Sequence, residues 1–99
     1  MVVDDNGNIV IPEMIIKELE KITRNGANKY GANPWLHPNG LGSTKRNNYK
    51  SILGHVSDAY ANIKEDHESG LDPRLHAVWR LLADFYRDKK GIVGDTEWN

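Results

Sequence analysis

The sequence predicts a mainly α protein: a three-helix bundle preceded by a short N-terminal β-hairpin and completed by oligomerisation. Three observations predict it. Apolar residues recur at helical spacing in three separate stretches, helix start and stop residues bracket those stretches, and two β-branched runs flank an Asn-Gly dipeptide near the N-terminus. With 99 residues and 11.2 kDa, the chain makes a single domain, 1–99. Within it, 1–11 form the hairpin, 12–90 a helical core and 91–99 a tail.

The hairpin comes first. Val2-Val3 and Ile9-Val10-Ile11 surround Asp5-Asn6-Gly7-Asn8, and Asn-Gly is the dipeptide of the type I′ turn. Two strands alone are marginal in water, so the ribbon is expected to lie on helices or on a neighbouring subunit. Pro12 at the first helical position then opens a helix to about Arg24, with Ile15, Leu19 and Ile22 as its buried stripe and Asn25-Gly26 as its stop. Residues 26–43 hold four of the nine glycines and two of the four prolines, which reads as a long irregular loop.

Ser43 or Thr44 caps a second helix to about Glu65, with Tyr49, Ile52, Val56, Ala59 or Tyr60, and Ile63 in period. Asp72-Pro73 pairs an N-cap with proline at the first position of a third helix. Leu75, Val78, Trp79, Leu82, Phe85 and Tyr86 give it a wide apolar face. Arg87, Lys89 and Lys90 suit its C-terminal dipole before Gly91. Three short helices cannot surround a sizeable core, hence the expected homodimer or homotetramer.

Composition removes several function classes. Thirteen Lys+Arg against fourteen Asp+Glu leave a net charge of −1, which disfavours a binder of polymeric nucleic acid working through bulk charge. The absence of cysteine excludes disulfide scaffolds, thiolate zinc sites and cysteine catalysis. The N-terminus has neither a basic segment nor an apolar run, and no stretch approaches the ~20 apolar residues of a membrane span. A cytoplasmic protein with no membrane partner is therefore expected.

Charge is nonetheless segregated. Residues 45–50 hold three bases and no acid and 74–90 hold five bases and two acids, whereas 64–72 hold four acids and one lysine. A solvated helix surface would look much the same; so would a basic pocket for phosphates beside an acidic patch. Arg74, His76 and Arg80 lie on the third helix, and His76 and Arg80, four apart, share a face suited to phosphate. Lys45 and Arg46 open the second helix, with Tyr49 and His55 farther along. Asp66 and Glu68 are the carboxylates that would hold Mg²⁺; the glutamates of the first helix, Glu13, Glu18 and Glu20, lack the Glu-x-x-Glu spacing that turns two carboxylates to one helix face. Between Gly26 and Trp35 the chain interleaves ring faces (Tyr30, Trp35), amides (Asn28, Asn33) and a cation (Lys29). Stacking a base on such rings is worth ~1–3 kcal/mol, and the amides can discriminate between base edges.

These stretches carry a resemblance. Gly26-Ala27-Asn28-Lys29-Tyr30-Gly31-Ala32-Asn33-Pro34-Trp35, then His55 on a Tyr-containing helix, then Asp66-His67-Glu68-Ser69-Gly70-Leu71 and His76-Ala77, resemble phage proteins of the dATP/dGTP diphosphohydrolase-like family. The likeness spans about residues 26–87. It departs where the family shows Arg-His and this chain has Gly54-His55, where a second histidine is replaced by Pro73, and where Arg80 stands for an asparagine. Keeping aromatics and gaining arginine while losing polar chemistry points to a nucleotide site that no longer cuts.

The expected function is therefore sequestration of a purine-containing, cyclic nucleotide immune signal, in the style of phage anti-CBASS sponges, without catalysis or cofactor. Asn28, Lys29, Tyr30, Asn33, Trp35, Lys45, Arg46, Tyr49, His55, Arg74, His76 and Arg80 would form the binding site. The alternative is a Mg²⁺-dependent dATP/dGTP pyrophosphohydrolase with its metal on Asp66 and Glu68.

Overall fold

Asp4 organises the first turn. Its carboxylate accepts the backbone N–H groups of Asn6 and Asn8, each at 2.9 Å, and those bonds hold its pKa below the usual carboxylate value. The strands β1 (Val2–Val3) and β2 (Ile9–Val10) pair antiparallel with Val2 opposite Val10 and Val3 opposite Ile9. The turn is not type I′, which needs positive φ at both central residues. Asn6 is not left-handed; Gly7 is, at φ 82°, and its N–H reaches the Asp4 carbonyl at 3.0 Å. This is the three-residue loop closed by a left-handed glycine. In the computed structural model, which describes residues 2–30 and 45–91 with side chains at 3–25 and 45–91, the ribbon packs on no helix, and Val3, Ile9, Val10 and Ile11 stay exposed.

Three helices follow, α1 (Glu13–Tyr30), α2 (Lys45–Tyr60) and α3 (Pro73–Lys90). Helix α1 overruns the expected stop at Asn25-Gly26 by more than a turn. A glycine inside a helix costs only ~1 kcal/mol, and flanking residues such as Arg24, Ala27 and Lys29 are good helix formers. Asn28, Lys29 and Tyr30, expected in a loop, therefore lie on the last turn of a helix. Trp35, Asn33 and the rest of 31–44, together with the tail from residue 92, lie outside the described residues.

Helix α2 stops five residues short of expectation, at Tyr60. Asn62 adopts φ 64°, its N–H bonds the Ala59 carbonyl, and the Ile63 N–H bonds the Asp58 carbonyl, both at 3.0 Å. This paired closure is the Schellman arrangement, with asparagine in place of the usual glycine. Helix α3 follows the sequence reading closely. Asp72 caps it by accepting from the Arg74 N–H at 2.9 Å, Pro73 sits in the first turn, and Gly91 ends it at φ 66°.

Among the described residues, α3 packs against both α1 and α2, and those two do not pack on each other. Toward α1, Trp79 and Ala83 of α3 bury against Ile22, with Leu19, Leu71 and Leu75 around them. The Trp79 indole N–H donates to the Thr23 hydroxyl at 3.1 Å, which gives its polar edge a partner. Toward α2, the buried contacts come from Ile52 and the wholly buried Asn48. The stripe expected on α2 is thus mostly not core: Val56, Tyr60, Ile63 and Tyr49 are exposed. So are Val78, Leu82 and Phe85 on α3. No helix among the described residues is long and apolar enough to cross a membrane.

Trp79 is 6% exposed and Phe85 62%. Trp79→Ala should cost ~3–5 kcal/mol in denaturant unfolding, as deletion of a buried tryptophan does, whereas Phe85→Ala should cost under ~1 kcal/mol. Equal losses at the two positions would contradict this division of the α3 face.

Candidate functional site

The loop from Asp66 to Leu71 is built around one buried carboxylate. Asp66 Oδ2 accepts the N–H of Glu68 at 3.1 Å, the N–H of Ser69 at 3.0 Å and the Ser69 hydroxyl at 3.2 Å. The Asp66 N–H bonds the Leu71 carbonyl, and the Gly70 N–H, at φ 73°, bonds the Asp66 carbonyl, both at 2.7 Å. Burial pushes the Asp66 carboxyl up. The Ser69 and Glu68 N–H groups, the Ser69 hydroxyl and nearby His76 outweigh that effect and leave it below its ordinary value. Asp66 is ionised at neutral pH with one oxygen committed to the loop.

The loop carries this carboxylate to the groove between α2 and α3. Ser69 Oγ lies 2.7 Å from His76 Nε2, and the His76 ring stacks on His55 of α2 at 4.7 Å between centroids and 13° between planes. His55 Nδ1 approaches Asp66 Oδ1 to 3.8 Å, too long for a hydrogen bond. Burial pushes the His55 pKa down; Asp66 opposes that shift, and the Arg80 guanidinium adds to it. One turn along α2 stands Asp58. Ligand atoms of His55, Asp58 and Asp66 lie within 4.8 Å of one another, a set able to hold one metal ion. Glu68 is not part of that set; it is exposed and serves Asp66 through its backbone.

Arg80 stands one turn beyond His76 on α3, with Nη1 donating to Asn48 Oδ1 at 2.8 Å. No carboxylate pairs with it among the described residues. Asn48 Nδ2, also buried, has no acceptor among the described residues. Arg74, by contrast, is spent on its own helix cap: Nε and Nη2 reach the two oxygens of Asp72 at 3.0 and 2.6 Å, and the pair faces α1 rather than this groove. Arg87 is wholly buried, and burial pushes its guanidinium below its ordinary value. Tyr49 donates its hydroxyl to Asp84, which raises the phenol pKa. Lys45 and Arg46 open α2 as expected.

The groove thus gathers His55, His76, Arg80 and Asp66 from the residues singled out in the sequence and leaves Arg74 outside. The described segments hold the outlines of two of the motifs quoted above, and a match with known proteins covers both. The N-terminal family of dATP/dGTP diphosphohydrolases matches residues 8–96. The chain belongs to this family. No curated protein and no solved structure matches it.

In this member of the family, Asp58 was the functional candidate the sequence reading passed over. Its signal was present: His55 and Asp58 are three apart, one helical turn, and so share a face. Asn48 gave no comparable signal, because an asparagine beside Lys45, Arg46 and Asn47 reads as surface. Ser69 carries a sequence signal only as part of the Asp66–Leu71 motif.

The two depressed pKa values predict an acid-sensitive fold. His55 binds its proton more weakly folded than unfolded, so stability is full above the ordinary histidine value near ~6.5 and falls as pH drops below it. Asp66, depressed from ~3.9, adds stability that is lost only as pH falls through the lower, folded value. Urea unfolding across pH without added metal should show both declines. His55→Gln should remove the upper one and keep the lower; a profile flat from pH 7 to 4 would contradict the His55 assignment, and one that stays flat below pH 4 would contradict the Asp66 assignment.

Proposed function

We propose that the chain binds a purine deoxynucleoside triphosphate in the α2–α3 groove and hydrolyses it with a divalent cation, as a dATP/dGTP pyrophosphohydrolase. The observation that carries this reading is the convergence of His55, Asp58 and Asp66 beside Arg80, an arginine with no carboxylate partner among the described residues. A phosphohydrolase needs negative ligands for a cation and a separate positive group for the phosphates, and the groove supplies both. Family membership supports the same substrate class.

One imidazole with two carboxylates is a mixed nitrogen–oxygen set. Mg²⁺ prefers oxygen alone and keeps several waters, whereas Mn²⁺ accepts imidazole more readily. The donor set therefore fits Mn²⁺ better than the Mg²⁺ expected from Asp66 and Glu68. A cation held there would supply Lewis-acid polarisation of a phosphoryl oxygen. The chain's own groups do the rest. Ser69 and the loop N–H groups fix the Asp66 carboxylate, the lowered pKa of His55 keeps its ring neutral and able to act as a ligand, and Arg80 takes the phosphate charge by its fork of N–H donors. Asn28, Lys29, Tyr30, Asn33 and Trp35 are the residues for the base, by stacking and amide contacts.

Sequestration without cleavage keeps one observation in its favour. Pro73, buried at the start of α3, stands where the family pattern has a second histidine. Turnover separates the readings. With Mn²⁺ and dATP or dGTP, water should cleave the α–β anhydride to give the nucleoside monophosphate and pyrophosphate, faster than with Mg²⁺. Asp66→Asn should abolish release, and Ser69→Ala should slow it by ~10–100-fold, the usual loss for a group that positions a metal ligand. Recovery of bound nucleotide intact under both metals would overturn the hydrolase in favour of the sequestering protein.

A further inference from the structure

Arg74 and Arg80 leave the same helix and meet different partners. Arg74 gives Nε and Nη2 to the two oxygens of Asp72, so its charge is cancelled where it stands. Arg80 meets an amide. Its Nη1 donates to Asn48 Oδ1 at 2.8 Å, and its remaining N–H groups bond no described residue. A guanidinium has donors and no acceptor, so the Asn48 atom that faces it is fixed as the oxygen. That orientation has a cost. Asn48 is 0% exposed, and its Nδ2 is left without an acceptor among the described residues. A buried donor without a partner lowers stability. Packing alone asks for something else here, as Ile52 one turn along α2 shows by being apolar and 5% exposed.

The side chains that would fit opposite Arg80 differ in what they leave for a ligand. A leucine, close to asparagine in size, would remove the unmet amide, and it would also let the guanidinium swing, because a partly exposed arginine keeps much of its rotamer freedom. An aspartate would hold the guanidinium by a stronger, charge-assisted bond, and it would cancel the charge as Asp72 does for Arg74. Asparagine does what neither does. A neutral acceptor fixes one Nη and leaves the positive charge uncompensated, close enough to the cation cluster to be felt by His55. A phosphate then meets a cation whose direction is already set, and less freedom is lost on binding.

We propose that Asn48 is a positioning residue for the substrate: it presets the Arg80 guanidinium, with its charge uncancelled, for the phosphates of a nucleotide in the α2–α3 groove. This rests on the nucleotide reading of the groove and adds to it a residue that touches no substrate. It explains why a buried position at the helix interface carries an amide whose nitrogen is unmet among the described residues.

Calorimetry with Mn²⁺ and the α,β-methylene analogue of dGTP, whose bridging carbon water does not displace, tests this alongside urea unfolding of the same variants. Asn48→Leu should weaken binding about tenfold while leaving the urea midpoint unchanged or higher, an opposition that a merely structural amide would not show. Asn48→Asp, which keeps the volume, should weaken binding at least as much by pairing with Arg80. In an Arg80→Met background Asn48→Leu should add no further loss, since residues acting as one unit are not additive. Unchanged binding in Asn48→Leu or Asn48→Asp, a lower urea midpoint in Asn48→Leu, or a loss that persists in full beside Arg80→Met would overturn the role of Asn48 and leave the nucleotide reading standing. A wild-type chain that takes none of the analogue would overturn both.

Discussion

Among the described residues, helix α3 meets both of its partners while they do not meet each other, so the packing that relates α1 to α2 there passes through its side chains. Its two working faces differ in kind. Toward α1 it presents Trp79 and Ala83, and that contact is apolar burial closed by one indole hydrogen bond. Toward α2 it presents His76 and Arg80, which meet a stacked ring and a buried amide. The first face removes apolar area from water, the largest favourable contribution available to a small fold. The second could not exist without it, since buried polar groups are costly unless a rigid frame keeps their partners in place. The caps at Asp72 and Gly91 set where this helix starts and ends, and with that the position of the loop before it.

That loop solves a local problem with a functional consequence. A buried carboxylate is expensive unless donors surround it, and Asp66 gathers three on a single oxygen. The other oxygen is left facing His55. The same residue therefore folds the turn with one atom and enters the candidate cation site with the other. His55 completes the arrangement from the opposite helix. Burial disfavours its charged form, and a neutral imidazole is what a metal needs.

How much of this was legible in the sequence follows from which signals are local. Asp72-Pro73 and Gly91 declared the bounds of α3 because caps act within a few residues of themselves. Asn62 ended α2 by the same kind of local chemistry, but a left-handed asparagine in Ala61-Asn62-Ile63 looks like any polar residue in a helix. Asn25-Gly26 failed in the other direction: both residues tolerate a helix, and nothing forced the left-handed turn. Apolar periodicity located the helices and overstated their core, since Val56, Tyr60 and Phe85 keep the period while facing solvent. Of the candidate site, Asp66, His55 and His76 were legible as motif residues and Arg80 through its helical spacing from His76. Which carboxylate joins Asp66 was not, because Glu68 is near in sequence while Asp58 is near only after α2 and the loop have packed. Arg74 and Arg80 looked alike for the same reason; only the fold shows that Arg74 is tied to Asp72.

The central claim is that His55, Asp58 and Asp66 form one cation site in the groove that α3 organises. Paramagnetic relaxation by Mn²⁺ reads it directly, through the imidazole proton signals of the four histidines. At substoichiometric Mn²⁺ the signals of His55 and of His76, stacked on it, should broaden first, and Asp66→Asn or Asp58→Asn should abolish the selectivity. Equal broadening of all four histidines, or selective broadening that survives both substitutions, would contradict the account.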